Sequence, residues 1–140
     1  MDKLPILEQK RRIEEILKDY ISSPELNVGR LADLLNLSDQ YAYQLVLYLY
    51  GENPHKIIES YRLIRAIQMI EEDPEANLFR ISSLSGYANY NTFRRSFKRR
   101  LDISPSGYSQ LPDHNRRQVK QSLTECLASS NHTTKRNLDS

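Results

Sequence analysis

The 140-residue sequence predicts an all-α fold of about seven helices, in which two units of short helix, turn and longer helix are joined by a long central linker helix. Three observations predict it. Leu, Ile, Glu, Lys, Arg and Gln are plentiful, a composition that favours helix. The four Gly and six Pro sit mostly where helices would start or stop. Val28 to Pro54 and Ile81 to Pro105 then repeat one pattern: a short helix, a turn, a longer helix and a small stop before Pro.

The elements follow in order. Residues 1–5 read as a loose leader. From Ile6 to Ile21 the apolar residues Ile13, Ile16, Leu17, Tyr20 and Ile21 recur on one helical face. Ser22-Ser23-Pro24 ends that helix. Val28 to Leu35 is a short helix with Val28, Leu31, Ala32 and Leu35 inward, and Asn36-Leu37 makes the turn. Ser38 caps a helix running to Tyr50, where Gly51 stops it. Its inward face is Tyr41, Ala42, Leu45 and Leu49; Gln40, Tyr43, Gln44, Leu47 and Tyr50 face outward. Pro54 opens the linker helix at its first position, and Asp73-Pro74 closes it. Its apolar residues cover more than one stripe, so a subdomain should bury it at each end. Leu78 to Ser85 is a short helix with Ile81 and Leu84 inward, followed by a Gly86-Tyr87 turn. Asn91 to Leu101 is helical with Phe93 and Phe97 on one side, and Ser104-Pro105 caps a last short helix through Tyr108. Beyond Gln110 the chain is polar. A weak helix from Arg116 to Ala128, with Val119, Leu123 and Leu127 as its apolar points, precedes a largely disordered end. The expected organisation is therefore leader 1–5, first helix-turn-helix subdomain 6–52, linker helix 53–73, second subdomain 74–110 and polar tail 111–140.

Charge is unevenly placed along the chain. The segment Asn27 to Pro54 holds Arg30 against Asp33, Asp39 and Glu52. Arg80 to Leu101 holds Arg80, Arg94, Arg95, Lys98, Arg99 and Arg100 and no acid. A basic block in a chain of net charge +2 points to a localised anionic partner, although such a run is often only a solvated face. The setting favours the partner. A helix-turn-helix lays its second helix in the DNA major groove. At about 100° per residue, Arg95 and Lys98 fall within about 40° of Asn91, and Arg94 about 60° away, with Phe93 and Phe97 opposite. Arg95 can bond guanine O6 and N7, and Asn91 adenine N6 and N7. Lys98, Arg99 and Arg100 suit phosphates, which give affinity without sequence. Arg116, Arg117 and Lys120 in the tail could add to them.

The first unit has no arginine or lysine on its outward face. Tyr43, Leu47 and Tyr50 form an apolar stripe there. Gln40 and Gln44 could read adenine while the stripe touches thymine methyls. The stripe could instead dock a protein partner, or it could be core. A protein-interaction adaptor or anti-regulator on the same scaffold is thus the alternative function.

An enzyme is not expected. No phosphate-binding Gly-rich loop or Gly-x-Ser-x-Gly elbow occurs. His55, His114 and His132 are scattered, Cys126 lacks zinc spacing, and Glu14-Glu15 and Glu71-Glu72 read as helix-surface acids. Neither cofactor nor metal is expected. The single cysteine, the absence of an apolar run of about eighteen residues and the lack of a secretory h-region point to a cytoplasmic chain.

Five motifs, in order, resemble the bacterial AraC/XylS family of transcription regulators. Ile81-Ser82-Ser83-Leu84-Ser85-Gly86-Tyr87 resembles its Ile-Ala-x-x-x-Gly-Phe, and Phe93-Arg94-Arg95-Ser96-Phe97-Lys98-Arg99 its Phe-x-Arg-x-Phe-Lys-Lys. Ser104-Pro105-Ser106-Gly107-Tyr108 is similar to its Ser-Pro-x-x-Tyr, and Arg62-Leu63-Ile64-Arg65-Ala66 to its Arg-Leu-x-x-Ala. Leu31-Ala32, Leu37-Ser38, Tyr41, Leu45, Gly51 and Pro54 fit its first unit. The resemblance implies seven helices and two recognition helices in successive major grooves. It implies base contact near Tyr90, Asn91, Thr92 and Arg95, and near Gln40, Tyr43 and Gln44. The chain departs from the pattern at Asp102 (usually Gly), Ser82 (usually Ala), Gln44 (commonly Arg), and Leu47 and Tyr48 (commonly Lys). The expected partner is double-stranded DNA, contacted by a monomer, with RNA polymerase or a sensor domain as further candidates. The chain leaves no room for a sensor of its own, so it reads as a short stand-alone regulator or the output end of a longer one.

Overall fold

A computed structural model describes residues 5–124, and the order of elements is α1 (Ile6–Tyr20), α2 (Val28–Leu35), α3 (Asp39–Tyr50), α4 (Pro54–Glu72), α5 (Leu78–Leu84), α6 (Tyr90–Leu101) and α7 (Pro105–Ser109). An eighth helix, α8, covers residues 113–124. No strand occurs among the described residues.

Local chemistry accounts for the boundaries. Asn27, Ser38, Asn53, Asn77, Asn89 and Ser104 each stand before a helix and accept a bond from a first-turn N–H with the side-chain oxygen. Pro54 and Pro105 open α4 and α7, where no N–H is needed. Asn36 (φ 58°), Gly51 (φ 71°) and Asp102 (φ 60°) end α2, α3 and α6 in the left-handed conformation. Asp102 is the departure from the family's glycine noted above. Aspartate is among the few residues that tolerate this region, so the helix still ends there, under modest strain.

Two apolar cores form, and α4 belongs to both. In the first, Ile13, Leu17 and Ile21 of α1 meet Leu31 and Leu35 of α2, Leu45, Val46, Leu49 and Tyr50 of α3, and Ile57 and Ile58 from the start of α4. In the second, Leu63, Ala66, Ile67 and Ile70 from the rest of α4 meet Ile81, Tyr87, Phe93, Phe97, Tyr108 and Leu123. Phe93, Phe97 and Tyr108 are fully buried, and their rings meet edge-on at 5.6 and 5.7 Å. That aromatic wedge holds α6 against α4 and leaves its opposite face to solvent.

Several expectations need correction. Tyr50 is 3% exposed and does not continue a surface stripe with Tyr43 and Leu47. The chain doubles back at Gly51, so α4 covers the end of α3. Burial and the neighbouring Tyr61 and Glu14 push the Tyr50 phenol far above its ordinary value, and Lys10 lies 5.5 Å from the ring centre. Val46, not assigned to the core from the sequence, takes the inward place. Leu84 was expected inward and is 42% exposed; the face of α5 that is buried beside Ile81 carries Ser82 and leads on to Ser85. The helix expected from Arg116 begins earlier, at residue 113. In α8, Leu123 is buried and Val119 packs beside it on the second core. Leu127, Cys126, His132 and the rest of the tail lie outside the described residues, as does most of the leader. Among the described residues, no helix is long and apolar enough to cross a membrane.

Candidate nucleic-acid interface

The second unit presents α6 on a frame of buried rings. Asn89 caps it, its carbonyl oxygen accepting from Thr92 N–H at 2.9 Å and from the Thr92 hydroxyl at 3.0 Å. Phe93, Ser96 and Phe97 face inward, and Asn91, Thr92, Arg94, Arg95, Lys98 and Arg99 are all exposed. Tyr90 is half-buried, stacked on Phe79 at 4.2 Å between ring centres. Phe79 itself is 66% exposed and was not singled out from the sequence. Its signal was weak, because one aromatic in a seven-residue helix defines no face.

The basic residues of α6 divide into two sets. Arg100 is mostly buried and donates to Glu59 at 2.8 Å and to the Ser60 hydroxyl at 2.7 Å. Arg99 also pairs with Glu59, from a more exposed position. Glu59 further accepts from the Ser96 hydroxyl at 2.7 Å. Burial pushes the Glu59 carboxyl up, but its bonds from Arg100 and Ser96 and the two guanidinium charges outweigh burial and hold it below its ordinary value. Arg100 therefore fastens α6 to α4 and is not available for a phosphate. Arg94 and Arg95, by contrast, have no protein partner among the described residues, and Lys98 only approaches the Asp102 carbonyl at 3.4 Å. Glu59 is the residue the sequence did not flag. Nothing in its spacing betrays a partner forty positions away.

A cleft of about 490 Å³ lies beside this helix, with His55, Glu59 and Arg62 of α4 on one wall and Thr92, Arg95 and Arg99 of α6 on the other. It is partly open, and its charged groups stand beside the apolar surfaces of Pro24, Tyr87 and Ala88. Among the described residues, no group of His, Cys, Asp or Glu is arranged to hold a metal ion.

The first unit presents α3 differently. Gln40, Gln44, Leu47 and Tyr48 are exposed and Tyr43 is half-buried. Leu47 and Tyr48, at 38% and 45% exposure, stand where the resemblance leads one to expect lysines. Tyr50 drops out of this surface, leaving Tyr43 and Leu47 of the stripe. In the tail, Arg116 is also committed to structure. It donates to the carbonyls of Ser109 (3.2 Å) and Leu111 (2.9 Å) and pairs with Asp113, while Lys120 pairs with Glu71 at 3.0 Å. Of Arg116, Arg117 and Lys120, only Arg117 is exposed and without a bond among the described residues. At Ser82, the other departure, the buried hydroxyl donates to the Phe79 carbonyl at 2.8 Å, so its burial leaves no unpaired group.

Comparison with known proteins bears on this arrangement. Residues 31–110 match the model of a helix-turn-helix domain family of AraC type. Among solved structures, the chain is similar to the C-terminal domain of the two-component response regulator yesN from Fusobacterium nucleatum subsp. nucleatum. That match has a TM-score of 0.69 and 20% identity, covering 74% of this chain and 99% of the other. It is also similar to the C-terminal domain of AraT, a response regulator from Geobacillus stearothermophilus. There the TM-score is 0.65 and the identity 23%, covering 82% of this chain and 86% of the other. Comparison with curated proteins finds no match. The all-helical fold with two helix-turn-helix units is common to these structures, and the family match extends over more than half of the chain. The chain belongs to the AraC-type helix-turn-helix family of DNA-binding regulators.

Proposed function

We propose that this chain is a sequence-specific transcription regulator that reads successive major grooves with α3 and α6 as a monomer. The observation that carries this reading is the division of charge on α6. Glu59 takes up Arg99 and Arg100, whereas Arg94 and Arg95 stay exposed and unneutralised beside Asn91. An unpaired guanidinium on a rigid, exposed helix can form the planar pair of bonds that guanine offers. Asn91 in the first turn suits adenine, and Thr92 and the Tyr90 hydroxyl suit sugar or phosphate. Lys98 supplies a phosphate contact, and Arg99 a second from the edge of its ion pair. On α3, Gln40 and Gln44 are the base-reading groups, with Tyr43 and Leu47 against thymine methyls.

Selection from a random duplex library at moderate salt tests this. Two recurring half-sites about one helical turn, or roughly 34 Å, apart are the expected product. A second reading concerns α3 alone, whose exposed side carries apolar Leu47 and Tyr48 and no cation. If the first unit docks a protein instead, selection returns one half-site, and a Leu47→Asp variant keeps its DNA binding while losing its protein partner.

A further inference from the structure

The two cores have no residue in common and meet only along α4, so the angle between α3 and α6 depends also on whatever else ties the two units together. A polar joint sits at the place where that angle is decided. Arg62 lies on α4 between the residues given to the first core and those given to the second. Its Nη2 donates to the carbonyls of Ser23 (2.9 Å) and Leu26 (3.2 Å), and its Nε approaches that of Ile21 (3.4 Å). The Ile21 carbonyl caps the C-terminal end of α1, where the helix dipole favours a cation, and those of Ser23 and Leu26 lie in the loop that leads to α2. The other side of the same guanidinium faces the turn of the second unit, 5.9 Å from the centre of the Tyr87 ring.

That turn touches the first unit directly. Gly86 has φ +94°, and a Cβ there would stand 2.0 Å from the Ile21 carbonyl oxygen and 2.8 Å from Arg62 Nε. No side chain fits between the two units at this point. The Leu84 carbonyl, two residues earlier, accepts from the Ser22 hydroxyl at 2.8 Å and from Arg65 Nε at 3.1 Å. Thus the end of α1 and the α5–α6 turn are bonded to each other, with Arg62 gripping both. Because the α5–α6 turn aims α6, its attachment to α1 fixes how α6 points relative to the first unit.

We infer that Arg62, seated against Gly86, is a positioning residue that fixes the separation of the two recognition helices and thereby the half-site spacing this regulator accepts. The inference rests on the reading that both helices contact DNA. Only arginine serves, since its fork reaches three carbonyls at once and lysine offers a single point charge.

Two measurements test it. In the free protein, spin labels at Asp33→Cys and Arg80→Cys, with Cys126→Ser, report the distance between the units. One narrow distribution is expected with Arg62 and a broad one with Arg62→Gln. On duplexes carrying both selected half-sites, inserting two base pairs should weaken the wild type by about tenfold or more and Arg62→Gln by less than about threefold. Affinity for an isolated half-site should stay within about twofold in the variant, because no base contact is removed. A folded Arg62→Gln chain with a narrow distribution and the wild-type spacing preference overturns the inference alone. A wild-type chain that binds no duplex overturns the groove-reading function, and the spacing role with it. If Arg62→Gln loses its helical circular dichroism, the Ser22→Ala/Arg65→Ala pair, which removes both bonds to Leu84 from exposed positions, must loosen the spacing preference. Unchanged spacing in that pair overturns the inference.

Discussion

In the first unit the helix after the turn, α3, shows solvent an aspartate, two glutamines, a leucine and a tyrosine; in the second, α6 shows an asparagine, a threonine, three arginines and a lysine. Their frames are nevertheless alike. Each helix is twelve residues long, each is capped by a side-chain oxygen, each follows a short helix, and each ends at a left-handed residue. The frame is set by caps, turns and buried apolar positions, which do not depend on what the outer face carries. The partner is set by that outer face, which contributes little to folding. One scaffold can thus carry a face suited to charge-assisted bonds with bases and another that has no cation to offer.

The largest expected effect tests whether the two units fold separately. Phe97→Ala removes a fully buried ring from the second core and should cost about 3–5 kcal/mol in guanidinium unfolding. If α4 couples the cores, both units unfold in one transition; a surviving first transition would show them independent. Next comes the contrast between the faces. Arg95→Ala should cost about 1–3 kcal/mol of binding and relax one base position, as measured by titration of selected and mutated duplexes. Gln44→Ala should cost less, and its loss should hardly vary with salt because no charge is removed. Equal loss of specific and random DNA in Arg95→Ala would reduce Arg95 to a phosphate contact.

A smaller effect is expected at the end of α6. Asp102→Gly relieves a left-handed aspartate and should raise stability by up to about 1 kcal/mol in thermal unfolding. It also removes a negative charge beside Lys98, so affinity for every duplex should rise slightly. The smallest is a pH effect. The Glu59 carboxyl titrates below 4.5 in the folded chain, so its stabilising contribution is complete above that value and is lost as pH falls through the folded value. Glu59→Gln should therefore be less stable than the wild type at neutral pH, and the gap should narrow in acid.

What the sequence made legible was whatever depends on near neighbours. The Ser38 cap, the Gly51 stop, Pro54 at the head of α4 and the Phe93–Phe97 pair all express rules that act within a turn or two. What it hid depends on distant contacts. Arg99 and Arg100 look no different from Arg94 and Arg95 in a basic run, and only the fold brings Glu59 to two of the four. Tyr50 was placed outward because a helical wheel ends with its helix and cannot show α4 folding over it. The docking of α8 was obscured because Val119, Leu123 and Leu127 among polar residues make a faint stripe. Its anchor, Arg116, bonds to backbone carbonyls that no side-chain pattern reveals.

The shared use of α4 has a consequence for cutting the molecule apart. Ile57 and Ile58 complete one core, and Leu63, Ala66, Ile67 and Ile70 complete the other, within a single helix of nineteen residues. The boundary between them falls inside the helix, near Arg62, and not in a loop. A fragment ending before Pro54 would leave the first core open along one wall, and one beginning after Glu72 would bare the Phe93 and Phe97 rings to water. A half that carried the whole of α4 would expose the stripe meant for its absent twin, a sticky strip of the kind that draws separated halves back together.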